Sequence, residues 1–281
     1  MFKKIALLSL LSQLPVHAAA LSAAATDTAR HALAVYPQQL QDSLAGMVRF
    51  NTVADPAVAL ENNPQHQAFK QFLKEEAARL GLDFTDHGAV VVIGLGEGSE
   101  RVGIITHGDV QPVNPAKWAK SPFELDATSE PGRLIARGAE DDKGPIATAL
   151  YAMKAIKDRQ LVLKKRLELY VYMAEESDWA PLEAFLKQHV PPQINITLDA
   201  EYPVVTAEKG YGSVKVTLPA MPAPAGRGAI LREFGGGFFG SQIPEDASAV
   251  IAGATPALEA QIRRRALAQK GMRSTPGRGA T

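Results

Sequence analysis

Apolar residues recur at helical spacing through residues 27–48, where Leu40, Leu44, Met47 and Val48 share one face, and this predicts a long helix. A second helix has clearer ends. Asn63 is placed to cap it, Pro64 suits the first helical position, Phe69, Phe72, Leu73, Glu76 and Leu80 trace one face, and Gly81 stops it. Short apolar runs follow at 90–94, 102–106, 167–173 and 194–198, separated by helical stretches at 146–157 and 179–189. Strands alternating with helices predict an α/β fold, a sheet flanked by helices. Past Gly210 the pattern changes: 213–218 alternates like a half-exposed strand and 219–228 is rich in Pro, Ala and Gly, so a boundary is expected there.

The chain opens differently. Lys3 and Lys4 precede an apolar run at 5–16, and Ala18, Ala19 and Ala20 supply small residues for cleavage, so 1–20 reads as a signal peptide, too short in its apolar part to span a bilayer. The expectation is an exported protein, periplasmic or secreted, with no membrane attachment after cleavage. At the other end, Arg263, Arg264, Arg265, Lys270, Arg273 and Arg278 lie in a stretch without acids, expected as a solvated helix and an irregular basic tail.

Composition then narrows the chemistry. Across 281 residues, 30 Lys and Arg balance 30 Asp and Glu, which removes the basic excess that would point to a nucleic-acid partner. The absence of cysteine excludes disulfides, thiolate metal sites and thiol nucleophiles, so any metal must be held by His and carboxylate. Gly94, Gly96 and Gly98 lack the spacing of a dinucleotide fingerprint and read as a turn, and His66 reads as a solvated helix residue.

Four predicted strand ends carry the remaining signal. His107-Gly108-Asp109-Val110 leaves the run at 102–106, and a His with a carboxylate two residues on can have its ring nitrogen oriented for metal binding. Glu140-Asp141-Asp142 packs three acids before a helix; the macrodipole accounts for one, but like charges together repel unless a cation joins them. Glu175-Glu176 ends the most apolar strand, where neighbours point to different sides, so one can bind metal while the other faces a water. Asp199-Ala200-Glu201 ends the last run. Four such ends together point to one site in a way that none does alone.

These residues resemble the two-zinc metallopeptidases that include peptidase V, carnosinase, carboxypeptidase G and aminoacylase. The resemblance covers roughly 40–210, through 107–113, 118–123, 137–145, Glu175-Glu176 and Asp199-Ala200-Glu201-Tyr202-Pro203, and is nearest to peptidase V-like dipeptidases. It implies a catalytic domain over 21–210 and a partial inserted α+β lid with the basic tail over 211–281. It further implies that two divalent ions, zinc or alternatively manganese or cobalt, are held by His107, Asp141, Glu176 and Asp199, with Asp141 bridging. Asp109 would orient His107, Glu175 would be the general base, and the peptide bond after Asp141 would be cis. The implied activity is hydrolysis of dipeptides or short peptides, with N-acyl amino acid deacylation, carboxypeptidase action, or an inactive metal- or peptide-binding relative as alternatives. The family's second metal takes a further His from a longer chain, and the last His here is His189, so the chain reads as truncated or frameshifted in the lid, with its second metal position weakly held.

Overall fold

A computed structural model describes residues 22–201, 204–208, 210, 212, 214, 216, 217, 228–237 and 246–268. The leader at 1–20 and residues 213, 215 and 218 of the strand expected at 213–218 lie outside them, and 214, 216 and 217 carry no strand.

The helix expected over 27–48 is two helices, α1 (Ala23–Val35) and α2 (Pro37–Val48). They break at Tyr36 (φ −110°, ψ 9°), because Pro37 has no N–H to continue the first helix and is suited to open the second. The third helix, α3 (Pro64–Leu80), has the expected ends: Asn63 Oδ1 accepts from the N–H groups of Gln65 and His66, and Gly81 closes it at φ 68°.

A strand the apolar runs did not reveal follows, β1 (Asp83–Asp86), and then β2 (Val90–Leu95) and β3 (Arg101–His107). Gly96 and Gly98 have positive φ in the turn between the last two. After a long loop come α4 (Lys143–Asp158), β4 (Arg166–Tyr172), α5 (Ala180–Leu186) and β5 (Ile194–Thr197). The five strands form one mixed sheet in the order β1-β2-β4-β3-β5, with β3 parallel to both β4 and β5 and the β1 and β2 pairings antiparallel.

Strand β4 is central and its side chains alternate between two apolar clusters. Leu169, Val171 and Met173 pack with Met47, Phe69 and Ile146 on the side of α2, α3 and α4. Tyr170, Tyr172 and Ala174 pack with Val90 and Phe185 on the side of α5. Helices on both faces explain why β4 reads as a continuous apolar run rather than an alternating one. Separately, β6 (Ile230–Gly236) and β7 (Ala247–Ala252) form an antiparallel pair followed by α6 (Pro256–Ala268), so Gly235 and Gly236 end a strand.

Because β3, β4 and β5 run in the same direction, their C-terminal ends lie along one edge of the sheet. His107 ends β3, Glu175 and Glu176 follow β4, and Asp199 follows β5.

Candidate metal centre

His107 is the buried centre of the cluster. Its Nδ1–H donates to the carbonyl of Asp109 at 3.0 Å, which leaves Nε2 facing Asp141 Oδ1 at 2.7 Å and Asp199 Oδ1 at 3.8 Å. Its backbone N–H donates to Asp142 Oδ2 at 3.0 Å. Ligand atoms of His107, Asp141 and Glu176 all lie within 4.8 Å of one another, and so do those of His107, Glu175 and Asp199. His107 therefore belongs to two donor groups, one with Asp141 and Glu176 and one with Glu175 and Asp199.

The carboxylate of Asp109 is fully buried and spans to the next strand. Oδ1 accepts from the Glu175 N–H at 3.0 Å and Oδ2 from the Glu176 N–H at 3.1 Å, while Oδ1 stands 3.4 Å from His107 Nδ1. Its carbonyl, nearer than its carboxylate, meets the imidazole. Asp109 thus fixes the backbone of the glutamate pair as well as the ring of His107. Gly108 is required beside it, since a Cβ there would stand 2.5 Å from the Phe69 ring and 2.8 Å from Met173 Sδ.

Three further residues had no assigned role in the sequence. Gln111 Nε2 donates to Glu176 Oε2 at 2.5 Å. Asp142 is completely buried and orients the backbone of His107 rather than merely favouring a helix start. Lys143 is also completely buried: its Nζ donates to the Phe50 carbonyl at 2.8 Å and lies 4.9 Å from the centre of the Phe69 ring. An Asp-Asp-Lys run reads as solvated charge in a sequence, and only packing reveals that two of the three are interior. The peptide bond between Asp141 and Asp142 is cis, as the resemblance implies.

Electrostatics describe a crowded anionic site. Burial opposes the charged form of His107, but its interactions with the accepting carboxylates of Asp109 and Asp141, and with that of Asp199 nearby, outweigh it and raise its pKa. His107 hydrogen bonding holds Asp141 low, while burial and the Asp141 charge raise Glu176. Burial also raises Glu175, with the charges of Asp199, Asp109 and Asp141 adding to it against His107. Asp142 is pushed up to about 8 by burial, aided by Asp199 and Asp141. One imidazole nitrogen among several carboxylate oxygens is a donor set suited to zinc or a similar divalent ion, and a cation is what such close carboxylates need. The residues fit the metal.

Residues 103–229 match the family described as Peptidase family M20/M25/M40. The chain is 34% identical over 215 residues to "Putative dipeptidase YtjP" of Bacillus subtilis (strain 168), covering 73% of this chain and 45% of that protein. It is also 34% identical over 181 residues to a similarly named dipeptidase of Staphylococcus aureus (strain USA300), covering 62% of this chain and 38% of that one. Among solved structures, the di-peptidase Dug1p of Saccharomyces cerevisiae superposes with a TM-score of 0.51 at 20% identity over 60% of this chain and 38% of that chain, a likeness of fold. This chain spans less than half the length of the curated relatives it matches.

Proposed function

The chain carries a peptidase M20 family domain, and from that premise we propose that it belongs to an enzyme that hydrolyses peptide bonds in dipeptides or short peptides, using water activated at a two-metal site with Glu175 as general base. The observation that carries this reading is the pair of donor triads meeting at His107, one through Asp141 and Glu176 and the other through Glu175 and Asp199. His107, Asp141, Glu176 and Asp199 would hold the ions. Bound divalent metal, zinc in the first place, supplies Lewis acidity and a water of lowered pKa.

The protein's own groups supply the rest. Asp142 and the Asp109 carbonyl hold His107 from its backbone and its ring, so Nε2 faces the acids. The Asp109 carboxylate grips both glutamate amides, which fixes the two side chains relative to His107. Gln111 restrains Glu176 and leaves Glu175 as the carboxylate without such a partner among the described residues. Glu175 then takes the proton of the attacking water and returns it to the leaving amine, a transfer suited to a carboxylate raised above its ordinary range.

Glu175→Gln and Glu176→Gln separate these roles in the full chain. By zinc titration and hydrolysis of a dipeptide, Glu175→Gln should retain zinc affinity and lose about 100-fold or more of whatever turnover the chain has. Glu176→Gln should weaken zinc binding itself. Equal loss of zinc in both variants would overturn the assignment, and an unmodified chain that binds zinc without turnover would favour the metal-binding alternative.

A further inference from the structure

Two histidines outside the metal centre meet where α5 packs on the sheet. His87 stands in the turn between β1 and β2, its backbone N–H donating to the Val90 carbonyl at 2.9 Å, and His189 follows α5. Their ring centres are 4.3 Å apart at 63°. Phe185 of α5 touches both, stacked on His189 at 4.4 Å and 9° and tilted against His87 at 5.4 Å, and Tyr170 of β4 meets it edge-on at 6.4 Å. Phe185 is the one buried residue of α5, so this cluster carries most of the hold on a helix of seven residues.

The pair is not built for a metal ion, since no third His or carboxylate among the described residues completes a donor group with it. Nor is it built for two charges. His189 Nδ1–H donates to the Phe185 carbonyl at 3.3 Å, whereas no hydrogen bond reaches the His87 ring among the described residues. The acids whose charge favours a proton on His87 are already engaged. Asp86 accepts from Lys70 of α3 at 2.9 Å and from the Gly88 N–H at 2.8 Å. Glu168 of β4 accepts from Arg101 at 3.0 Å, Arg166 at 3.2 Å and the Tyr170 hydroxyl at 2.6 Å. Glu183 of α5 and Lys187 at its end are exposed. Partial burial, and after it the His189 charge, holds the His87 pKa below its ordinary value of 6.5 against Asp86 and Glu168. One imidazolium can rest on an aromatic face, but two with ring centres 4.3 Å apart repel.

We propose that His87 and His189 form an acid-released clasp, which holds α5 against the β1–β2 turn near neutral pH and lets it lift when both rings carry a proton. His87 binds its proton more weakly in the docked cluster than in the released chain. Docking is therefore strongest above a pH of about 6.5 and weakens as pH falls through the docked value, by up to about tenfold per pH unit for each proton taken up. The release reaches the metal centre through its backbone, because Trp179 directly precedes α5 and its indole N–H donates to the Glu175 carbonyl at 2.9 Å.

Hydrogen exchange read by mass spectrometry in the full chain, corrected for the intrinsic pH dependence of exchange, tests the clasp between about pH 7.5 and about pH 5.5. Peptides spanning 180–189 should lose about tenfold or more of their protection in acid, while those of α4 keep theirs. His87→Phe keeps a ring against Phe185 and does not titrate, so it should remove the loss. His189→Phe should do the same, and it stands in if circular dichroism shows the first variant misfolded. Unchanged protection of 180–189 in acid, a fall shared equally by α4, or a fall that survives in a folded variant would each overturn the proposal.

Discussion

His66 is where a single residue departs most from its expectation. In place of a solvated position it is 1% exposed, and its Nε2–H donates to the Thr52 carbonyl at 3.0 Å. The other ring nitrogen is buried without a partner among the described residues, so a second proton would have nothing to bond. Burial holds the pKa below its ordinary value of 6.5, with Lys143 and Lys70 adding to the effect and Thr52 and Asp109 opposing it. A folded pKa below the unfolded one means that the unfolded chain takes up the proton first as pH falls. The stability present above the ordinary value is therefore lost as pH drops through the folded value. His66→Gln keeps a donor for Thr52 and does not titrate. In urea melts between about pH 7 and pH 5, wild type should lose stability relative to this variant as pH falls. A gap independent of pH would show that His66 titrates alike in both states.

At the scale of elements, the start of α4 shows how packing reverses a propensity. A mid-helix Gly→Ala change ordinarily stabilises a helix by up to about 1 kcal/mol. At Gly144, however, a Cβ would stand 2.2 Å from the Ala139 carbonyl oxygen, a backbone atom that cannot rotate away. Overpacking of this kind costs about 1–3 kcal/mol and wins. Gly144→Ala should lower the urea midpoint and weaken zinc binding together, since Asp141 and Asp142 lie in the turn that would have to shift. A neutral or stabilised variant would show that the turn and helix are free to separate. The Tyr36 break between α1 and α2 teaches the same lesson from the other direction. Apolar spacing ran smoothly through it, and the absent N–H of Pro37 decided the boundary.

For the whole molecule, the sheet has one protected centre and two thinly covered edges. β4 is paired on both sides and packed on both faces, whereas every residue of β5 is exposed, Ile194 at 54% and Ile196 at 53%. Local opening follows such differences in burial. Native-state hydrogen exchange should therefore find the slowest amides in β4 and much faster exchange in β5, whose end carries Asp199. Slow exchange throughout β5 would contradict this gradient. It also bears on the centre, because His107 ends β3 and Glu175 and Glu176 follow β4, both paired inside the sheet, while Asp199 follows the least protected strand.

The sequence by itself determined the α/β class, the strands that carry the site, the caps of α3 and the clusters from which the site draws, because each of these depends on local periodicity or on side-chain chemistry at an element end; which members of the clusters face a metal came only from the family resemblance. Charge near His107 was legible in the same way: His or acid at the ends of three runs, with a knot of acids before a helix, is informative without coordinates. What joins them was not. That β3, β4 and β5 are parallel, that Asp109 uses its carboxylate on the Glu175 and Glu176 amides, that His66, Asp142 and Lys143 are interior, and that His87 meets the ring of His189 all depend on segments distant in the chain. A pattern of apolar and polar residues records which groups prefer burial on average, whereas burying a charge is decided by the specific acceptor that tertiary structure brings to it.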